Sequence, residues 1–223
     1  MDARIQASRL EGLSNIAYIP DVIDASEELR ILGEVERSPR TKWTQVSGRR
    51  LQNLGGSVLP KGLIPAPLPS WLLPVIAKVQ QLVGEGFYGG DAPNHVLLNA
   101  YSPGQGIMAH EDGPAYFPAV CILSLGASSI IRFYKKQAEG VCSQPTTSVL
   151  LRPRSLLVFS EEAYTGFLHG IDQVEAETVD ATVANCKQSG VLHGDSMLRE
   201  GERVSLTIRR VVRVFKNMFK LPS

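Results

Sequence analysis

The second half of the sequence is divided into short segments rich in β-branched and aromatic residues, and this pattern limits the folds that the chain can adopt. The segments span 95–101, 120–125, 130–134, 148–151, 155–160, 166–171 and 203–212. Turn residues such as Pro103, Gly104, Gly126 and Pro153 separate them. Many short strands punctuated by turns predict a β-sandwich or a jelly roll.

Two amphipathic helices are predicted before this β-rich half. Asp24 and Glu27 form a variant of the capping box at the start of the first helix. Its predicted buried face consists of Leu29, Leu32 and Val35. Ser70 is the predicted N-cap of the second helix. The predicted buried face of that helix consists of Trp71, Leu72, Val75, Ile76, Val79, Leu82 and Val83. Helices that precede a run of strands indicate an α+β fold, mainly β, with the helices packed on one side.

The chain length indicates a single domain. The 223 residues, 43% of them hydrophobic, are enough to bury a full core. We expect residues 1–93 to provide helical support and residues 94–215 to form the β-rich core. The polar stretch 172–201 lacks clear periodicity, so we expect an insertion that is partly disordered or acts as a lid.

Charge and cysteine content exclude several classes of protein. The formal net charge of +1 excludes a wholly basic nucleic-acid binder but allows a local basic patch. Cys121, Cys142 and Cys186 are odd in number and form no Cys-x-x-Cys pair, which argues against a disulfide framework and a zinc knuckle. No apolar run approaches the ~18 residues of a membrane span, and no signal-peptide pattern is present. We expect a soluble protein of the cytoplasm and nucleus without a membrane partner, and we favour a monomer.

A candidate metal site lies in the segment His110-x-Asp112. Two residues apart on extended backbone, these side chains point to the same face. An imidazole and a carboxylate, joined by a second histidine, form the facial triad of non-haem Fe(II) oxygenases, which leaves three octahedral positions open. His169 is the candidate for the third ligand, because distant strands of a jelly roll meet at one end. On its own segment, His169 is more typical of a buried, hydrogen-bonded core histidine.

The C-terminal strand contains a second group of candidate binding residues. Strict alternation places Arg203, Ser205, Thr207 and Arg209 on one face. Guanidinium groups bind carboxylates through paired N–H donors, so two arginines on one face suit a short dicarboxylic acid. The alternative is the solvent-exposed charged face of an edge strand.

The strand that leads into the metal pair adds Asn99 and Tyr101, an amide and a phenol that can bind a carboxylate oxygen.

Together these motifs resemble the AlkB family of Fe(II)/2-oxoglutarate dioxygenases. The motifs that carry the resemblance, in chain order, are Asn99-x-Tyr101-x-x-Gly104, His110-x-Asp112, the distal His169 and Arg203-x5-Arg209. Their flanks, such as Lys42-Trp-Thr and Asp112-Gly-Pro-Ala-Tyr116, are most similar to the branch called AlkB homologue six, over nearly the whole chain.

The resemblance implies a double-stranded β-helix, a variant of the jelly roll, supported by two N-terminal helices. It implies that Fe(II) is held by His110, Asp112 and His169. It implies that 2-oxoglutarate is held by Asn99, Tyr101, Arg203, Ser205 and Arg209. Within that set, Arg203 is expected at the distal carboxylate and Arg209 near the metal. O₂ is the remaining co-substrate, and the chemistry is hydroxylation of a substrate C–H bond.

The resemblance also places a substrate-recognition lid over residues 40–69. Lys42, Arg49 and Arg50 would contact phosphates there, and Trp43 would stack on a base. The alternative is a solvated basic loop with Trp43 packed on the core. Tyr116 either lines the substrate entrance or fills the barrel.

Three functions are compatible with the sequence. The leading hypothesis is oxidative demethylation of N-alkylated nucleic acid, with RNA ahead of DNA. The second is hydroxylation or demethylation of a protein substrate by the same chemistry. The third is a non-catalytic, cupin-like binding module whose metal is structural.

Overall fold

A computed structural model describes residues 5–6, 8–10, 12–13, 15–137 and 140–216, so the ends of the predicted domain, 1–4 and 217–223, lie outside the description. The α-helices are α1 (Ala25–Glu36), α2 (Leu73–Val83), α3 (Glu162–Thr165) and α4 (Cys186–Ser189). Two 3-10 helices span Arg40–Lys42 and Ser70–Leu72. In the part of the chain described, no helix has the length and apolar character needed to cross a membrane.

The remaining elements are strands, which confirms the predicted mainly β fold. In chain order they are β1 (Ile16–Ile19), β2 (Thr44–Val46), β3 (Arg49–Leu54), β4 (Gly56–Leu59), β5 (Gly62–Pro65), β6 (His95–Tyr101), β7 (Ile107–His110), β8 (Tyr116–Gly126), β9 (Ser129–Gln137), β10 (Gly140–Val141), β11 (Thr147–Leu151), β12 (Leu156–Ser160), β13 (Phe167–Ile171), β14 (Ala176–Thr178), β15 (Ser196–Leu198) and β16 (Arg203–Val211). All seven strands predicted from the sequence are present.

Two large antiparallel sheets form the core of the fold, and β4–β5 and β14–β15 are separate two-stranded sheets. The larger has the strand order β1-β12-β8-β16-β6-β3-β2, and the smaller has the order β10-β9-β13-β7, with β11 paired to β9. The C-terminal strand β16 therefore lies between β8 and β6, in the middle of the larger sheet. Arg203 and Arg209 are each only 3% exposed. The edge-strand alternative for these arginines is wrong.

The larger sheet separates two hydrophobic clusters. On one face, Val96, Leu98 and Ala100 of β6 pack with the helices, in a cluster that also contains Val75 and Val79 of α2. On the other face, Tyr101 belongs to a cluster between the sheets, whose largest members are Tyr18, Phe133 and Phe159. The period-2 alternation of β6 thus places Val96, Leu98 and Ala100 against the helices, and Leu97, Asn99 and Tyr101 between the sheets.

The first helix begins as predicted, and of its predicted buried face Val35 is buried and Leu32 packs against the core. The Asp24 carboxylate accepts a hydrogen bond from the Glu27 backbone N–H at 2.8 Å, as in a capping box. The buried residues are Glu28, Ile31 and Val35, whereas Leu29 is 71% exposed, so the predicted position of Leu29 is wrong. The Glu28 carboxylate accepts bonds from the Gly126 backbone N–H and from Arg154, which turns its side of the helix toward the sheet.

The second helix starts later than predicted. Ser70–Leu72 form a 3-10 turn without a side-chain cap, and α2 begins at Leu73 with Pro74 in its first turn. The prediction that Ser70 caps the helix is therefore wrong. The predicted face is confirmed for the α-helical positions, where Val75, Ile76, Val79, Leu82 and Val83 are buried.

The insertion 172–201 is ordered, so the expectation of partial disorder is wrong. Its hairpin β14–β15 and helix α4 cover the outer face of the smaller sheet. There Val179, Val183 and Val191 pack against Ile130 and Leu150.

A buried ion pair within the insertion, between Arg199 and Glu177, holds it in place. The Glu177 carboxylate also accepts a bond from the Ile130 backbone N–H at 2.9 Å.

Removing the Glu177 carboxylate should destabilise the whole domain. Glu177→Ala leaves Arg199 buried without a counter-charge and the Ile130 N–H without an acceptor. We expect the free energy of unfolding to fall by about 3–5 kcal/mol, measured by urea denaturation. The control is Glu175→Ala, which removes an exposed carboxylate from the same segment. Equal stability of the two variants would contradict this assignment.

Candidate active site

The structure brings the three predicted metal ligands together. His110 ends β7, Asp112 follows it, and His169 lies in β13. The candidate ligand atoms of these residues all lie within 4.8 Å of one another. His110 and His169 are paired opposite each other in the β7–β13 ladder, and their ring centroids are 4.5 Å apart. The pairing of β7 with β13 thus brings together two histidines that lie far apart in the sequence.

A β-bulge aims His110 into the site. Between His169 and Ile171 the ladder shifts register, because Ile171 pairs with Ile107, three positions before His110. The extra residue in β7 lets Ile107 and His110 line the same pocket, which strict alternation does not allow. Gly170 makes room for the bulge, since a Cβ there would lie 2.9 Å from Ile107 O and from the backbone N of Ala109.

The surroundings of the two imidazoles suit metal binding. His110 Nδ1 lies 2.9 Å from the Met108 carbonyl oxygen, which only accepts, so Nδ1 donates to it and Nε2 is the ring nitrogen left for a metal. Burial lowers the pKa of His169 to about 4, which keeps its ring neutral at physiological pH.

The carboxylate ligand is paired with an arginine of β16. Burial raises the pKa of Asp112, whereas the charge and hydrogen bond of Arg209 lower it, and the resulting pKa lies below its ordinary value. Asp112 Oδ1 accepts a hydrogen bond from Arg209 Nη1. Asp112 Oδ2 is buried and has no hydrogen-bond partner in the described part of the chain. Two imidazoles and a carboxylate with a free oxygen fit a ferrous ion.

Four of the five residues predicted to hold the keto acid line the same pocket, whereas the fifth, Arg209, lies outside its lining and is paired with Asp112. In the β16–β6 ladder, Arg203 lies opposite Tyr101 and Ser205 lies opposite Asn99. Together with the metal ligands these four residues surround a cavity of about 470 Å³, including its opening. Its apolar walls are formed by Leu97, Ile107, Ile122, Ile131 and Ile171, and Arg49 and Thr207 also line it.

Arg203 has unused hydrogen-bonding capacity. Its Nη2 donates to Ser124 Oγ at 3.1 Å, whereas Nε and Nη1 have no partner among the described residues. Burial lowers the pKa of this guanidinium to about 10, so it remains charged at neutral pH. A buried charge without a partner is costly, and a carboxylate would satisfy it. The pocket therefore fits one end of 2-oxoglutarate.

The residues predicted to contact substrate divide between two places. Arg49 lines the pocket, and its Nε donates to Asn99 Oδ1 at 2.8 Å. Arg50 instead lies over the ring of Trp43, with 4.2 Å from its Cζ to the ring centroid, and forms an ion pair with Glu202 at 2.8 Å.

The other predicted substrate residues differ in exposure. Trp43 packs against the helix-side core, whereas Lys42 is exposed. Tyr116 lies beneath the Arg209 guanidinium, 3.9 Å from its Cζ to the ring centroid.

Two residues around the site were missed from the sequence. Ser124 accepts a hydrogen bond from Arg203. It could have been found as the one polar residue within the apolar run 120–125. Tyr164 donates from its hydroxyl to the Gly113 carbonyl oxygen at 3.2 Å, which ties down the loop after Asp112. No role at the site was predicted for Tyr164, because the contact depends on α3 folding back over that loop.

Comparison with known proteins assigns the class. The family model described as "2OG-Fe(II) oxygenase superfamily" matches residues 18–209. The chain belongs to this family: it is an Fe(II)- and 2-oxoglutarate-dependent dioxygenase that uses O₂, and the non-catalytic alternative is wrong.

Individual relatives place it within the AlkB type, as the sequence motifs indicated. "Probable RNA/DNA demethylase ALKBH6" of Danio rerio is 41% identical, over 94% of this chain and 91% of that protein. "tRNA (carboxymethyluridine(34)-5-O)-methyltransferase ALKBH8" of Mus musculus is 30% identical over 92% of this chain, which spans only 32% of that longer protein.

Solved structures share the architecture at low sequence identity. OsALKBH1 superposes with a TM-score of 0.59 at 15% identity, covering 91% of this chain and 100% of that one. A Pseudomonas putida prolyl-4-hydroxylase gives a TM-score of 0.51 at 15% identity, covering 88% of this chain and 92% of that one. These likenesses confirm the jelly-roll fold and carry no information about the substrate.

Filling the space at Gly170 should weaken metal binding. In Gly170→Ala the added methyl group pushes β7 away from β13 and moves His110 relative to His169. We expect affinity for Mn(II), used in place of Fe(II), to fall by about 10–100-fold in a calorimetric titration. Gly86→Ala is the control, because a Cβ there meets no atom within 4 Å. Unchanged affinity in Gly170→Ala would show that the bulge does not position the ligand.

Proposed function

We propose that this dioxygenase removes N-alkyl groups from nucleic acid by oxidative demethylation, with RNA ahead of DNA as substrate. The observation that carries the proposal is the 41% identity, over 94% of the chain, to a relative named as a probable RNA/DNA demethylase. RNA is placed first because the name of the mouse relative refers to a tRNA nucleoside.

The residues of the site have separable roles in this reaction. His110, Asp112 and His169 would hold Fe(II), and Arg203 would bind one carboxylate of 2-oxoglutarate. Fe(II), 2-oxoglutarate and O₂ bound there would supply the oxidation of a substrate C–H bond. A hydroxylated N-methyl group would then leave the substrate as formaldehyde.

The chain itself supplies orientation and exclusion of water. Arg209 keeps Asp112 ionised and fixes one of its oxygens. The Met108 carbonyl oxygen fixes the plane of the His110 ring. The apolar walls, formed largely by isoleucines such as Ile122 and Ile131, keep bulk water from the reacting groups.

Lys42 is the best candidate for a phosphate contact. It is exposed in the 3-10 turn that precedes β2, and no ion pair involving it is found among the described residues. The charge of Arg50, by contrast, is shared with Glu202. Phosphate contacts position a nucleic acid without reading its sequence, so Lys42 would contribute affinity and leave base selection to the pocket.

Turnover on methylated RNA tests the proposal directly. Incubated with Fe(II), 2-oxoglutarate, O₂ and cellular RNA, the protein should lower the content of one N-methylated nucleoside and release formaldehyde in equal amount. Mass spectrometry of nucleosides measures this, and His110→Ala, which lacks a metal ligand, should leave the RNA unchanged. A parallel digest of cellular proteins is the counter-test: a change confined to peptides would replace the nucleic-acid proposal with the protein-substrate alternative.

Charge reversal at Lys42 should weaken RNA binding. Loss of one phosphate contact lowers the slope of log K against log salt by roughly 0.7 for single-stranded RNA. Fluorescence anisotropy with a labelled oligonucleotide at several salt concentrations measures this slope for Lys42→Glu. Lys187→Glu makes the same charge change on the exposed surface of the insertion and should match wild type. Identical slopes for both variants would exclude Lys42 from the RNA-binding surface.

A further inference from the structure

The two consecutive arginines of β3 lie on opposite faces of the larger sheet. In the β3–β6 ladder, Leu51 is opposite Asn99 and Arg50 is opposite Ala100. Alternation therefore places Arg49 on the face of Asn99 and Arg50 on the helix face. The basic pair Arg49-Arg50, which reads from the sequence as one phosphate-binding patch, is in fact divided by the sheet.

The contacts of Arg49 differ from those of the other site arginines. Arg209 is paired with a carboxylate of the site and Arg203 with a serine. Arg49 is half-buried, lines the pocket and donates from Nε to Asn99 Oδ1 at 2.8 Å. No ion pair between Arg49 and a carboxylate is found among residues 15–137 and 140–216. Its positive charge therefore faces the pocket without compensation.

The bond from Arg49 determines how Asn99 presents its amide. Asn99 is 3% exposed, and its carbonyl oxygen Oδ1 is taken up by the Arg49 N–H. The other end of the amide, Nδ2, carries two N–H donors and no acceptor. With Oδ1 held, Asn99 can offer only these donors to a molecule in the pocket, which selects an acceptor such as a carboxylate.

We propose that Arg49 is a positioning residue for 2-oxoglutarate: it orients the Asn99 amide toward a carboxylate of the keto acid and adds positive charge that retains the dianion. This assignment replaces the phosphate contact expected for Arg49 from the sequence. It rests on the pocket and on the dioxygenase class, and it is independent of whether the substrate is RNA, DNA or protein.

Keto acid binding without turnover is the primary test. With Mn(II) in place of Fe(II), titration calorimetry reports 2-oxoglutarate affinity directly. Arg49→Ala should bind 2-oxoglutarate about tenfold more weakly, in line with loss of a hydrogen bond that involves charged groups. Arg50→Ala removes the neighbouring guanidinium on the opposite face and should bind the keto acid as wild type does. Affinity for Mn(II) alone should be equal in all these proteins, because neither arginine contacts a metal ligand.

A double-mutant cycle tests the route through Asn99. If Arg49 acts by orienting this amide, the loss in Arg49→Ala/Asn99→Ala should be smaller than the sum of the two single losses. Arg49→Lys keeps the charge but not the Nε–H, so it should recover only part of the affinity. Arg49→Lys also serves as the second variant if Arg49→Ala misfolds. In turnover assays the KM of Arg49→Lys for 2-oxoglutarate should rise, while its kcat at saturating keto acid stays unchanged.

Two results would overturn the proposal. Wild-type affinity for 2-oxoglutarate in Arg49→Ala, combined with weaker RNA binding, would return Arg49 to the substrate surface. Strictly additive losses in the double-mutant cycle would show that Arg49 and Asn99 act separately, and the positioning role would then be wrong.

Discussion

The ion pair between Asp112 and Arg209 connects the metal site to the centre of the fold. Arg209 belongs to β16, the middle strand of the larger sheet, while Asp112 belongs to the loop that follows β7 at the edge of the smaller sheet. The side chains of both residues are almost fully buried, 4% and 6% exposed, so neither charge is satisfied by water. Losing one partner would leave the other as an uncompensated buried charge, at a cost of about 3–5 kcal/mol. The pair therefore fixes the distance between the sheets at the site.

The position of β7 explains how a buried metal site stays accessible. β7 is the last strand of the smaller sheet, so His110 lies at an open edge and not between two neighbouring strands. Exposed edge strands invite unwanted pairing, and a bulge disrupts such pairing. The bulge of β7 thus serves two purposes, since it both protects the edge and turns His110 inward.

Much of the site followed from local periodicity, which a sequence displays directly. The alternation of β16 put Arg203, Ser205 and Arg209 on one face, and the same rule placed Asn99 and Tyr101 together on β6. Period-2 alternation is independent of which strands become neighbours, so these groupings could be read before the fold was known. The spacing of His110 and Asp112 belongs to the same category.

The features that escaped prediction depend on distant partners. Leu29 is exposed because Glu28 binds Gly126 and Arg154, which lie about a hundred positions further along the chain. The separation of Arg49 from Arg50 requires knowledge that β3 pairs with β6. Order in the insertion depends on the pairing of Arg199 with Glu177, two charges in a segment whose composition alone indicates disorder. Each depends on a tertiary contact that no local pattern encodes.

The partly unsatisfied guanidinium of Arg203 makes the stability of this enzyme depend on the binding of an anion. A cation kept in the interior without a counter-ion raises the free energy of the empty protein, and an anion that neutralises it binds only the folded form. Folded-state ligands shift the unfolding equilibrium by mass action, in proportion to the logarithm of their concentration. A keto acid bound at Arg203 would thereby stabilise the folded enzyme in addition to taking part in its reaction.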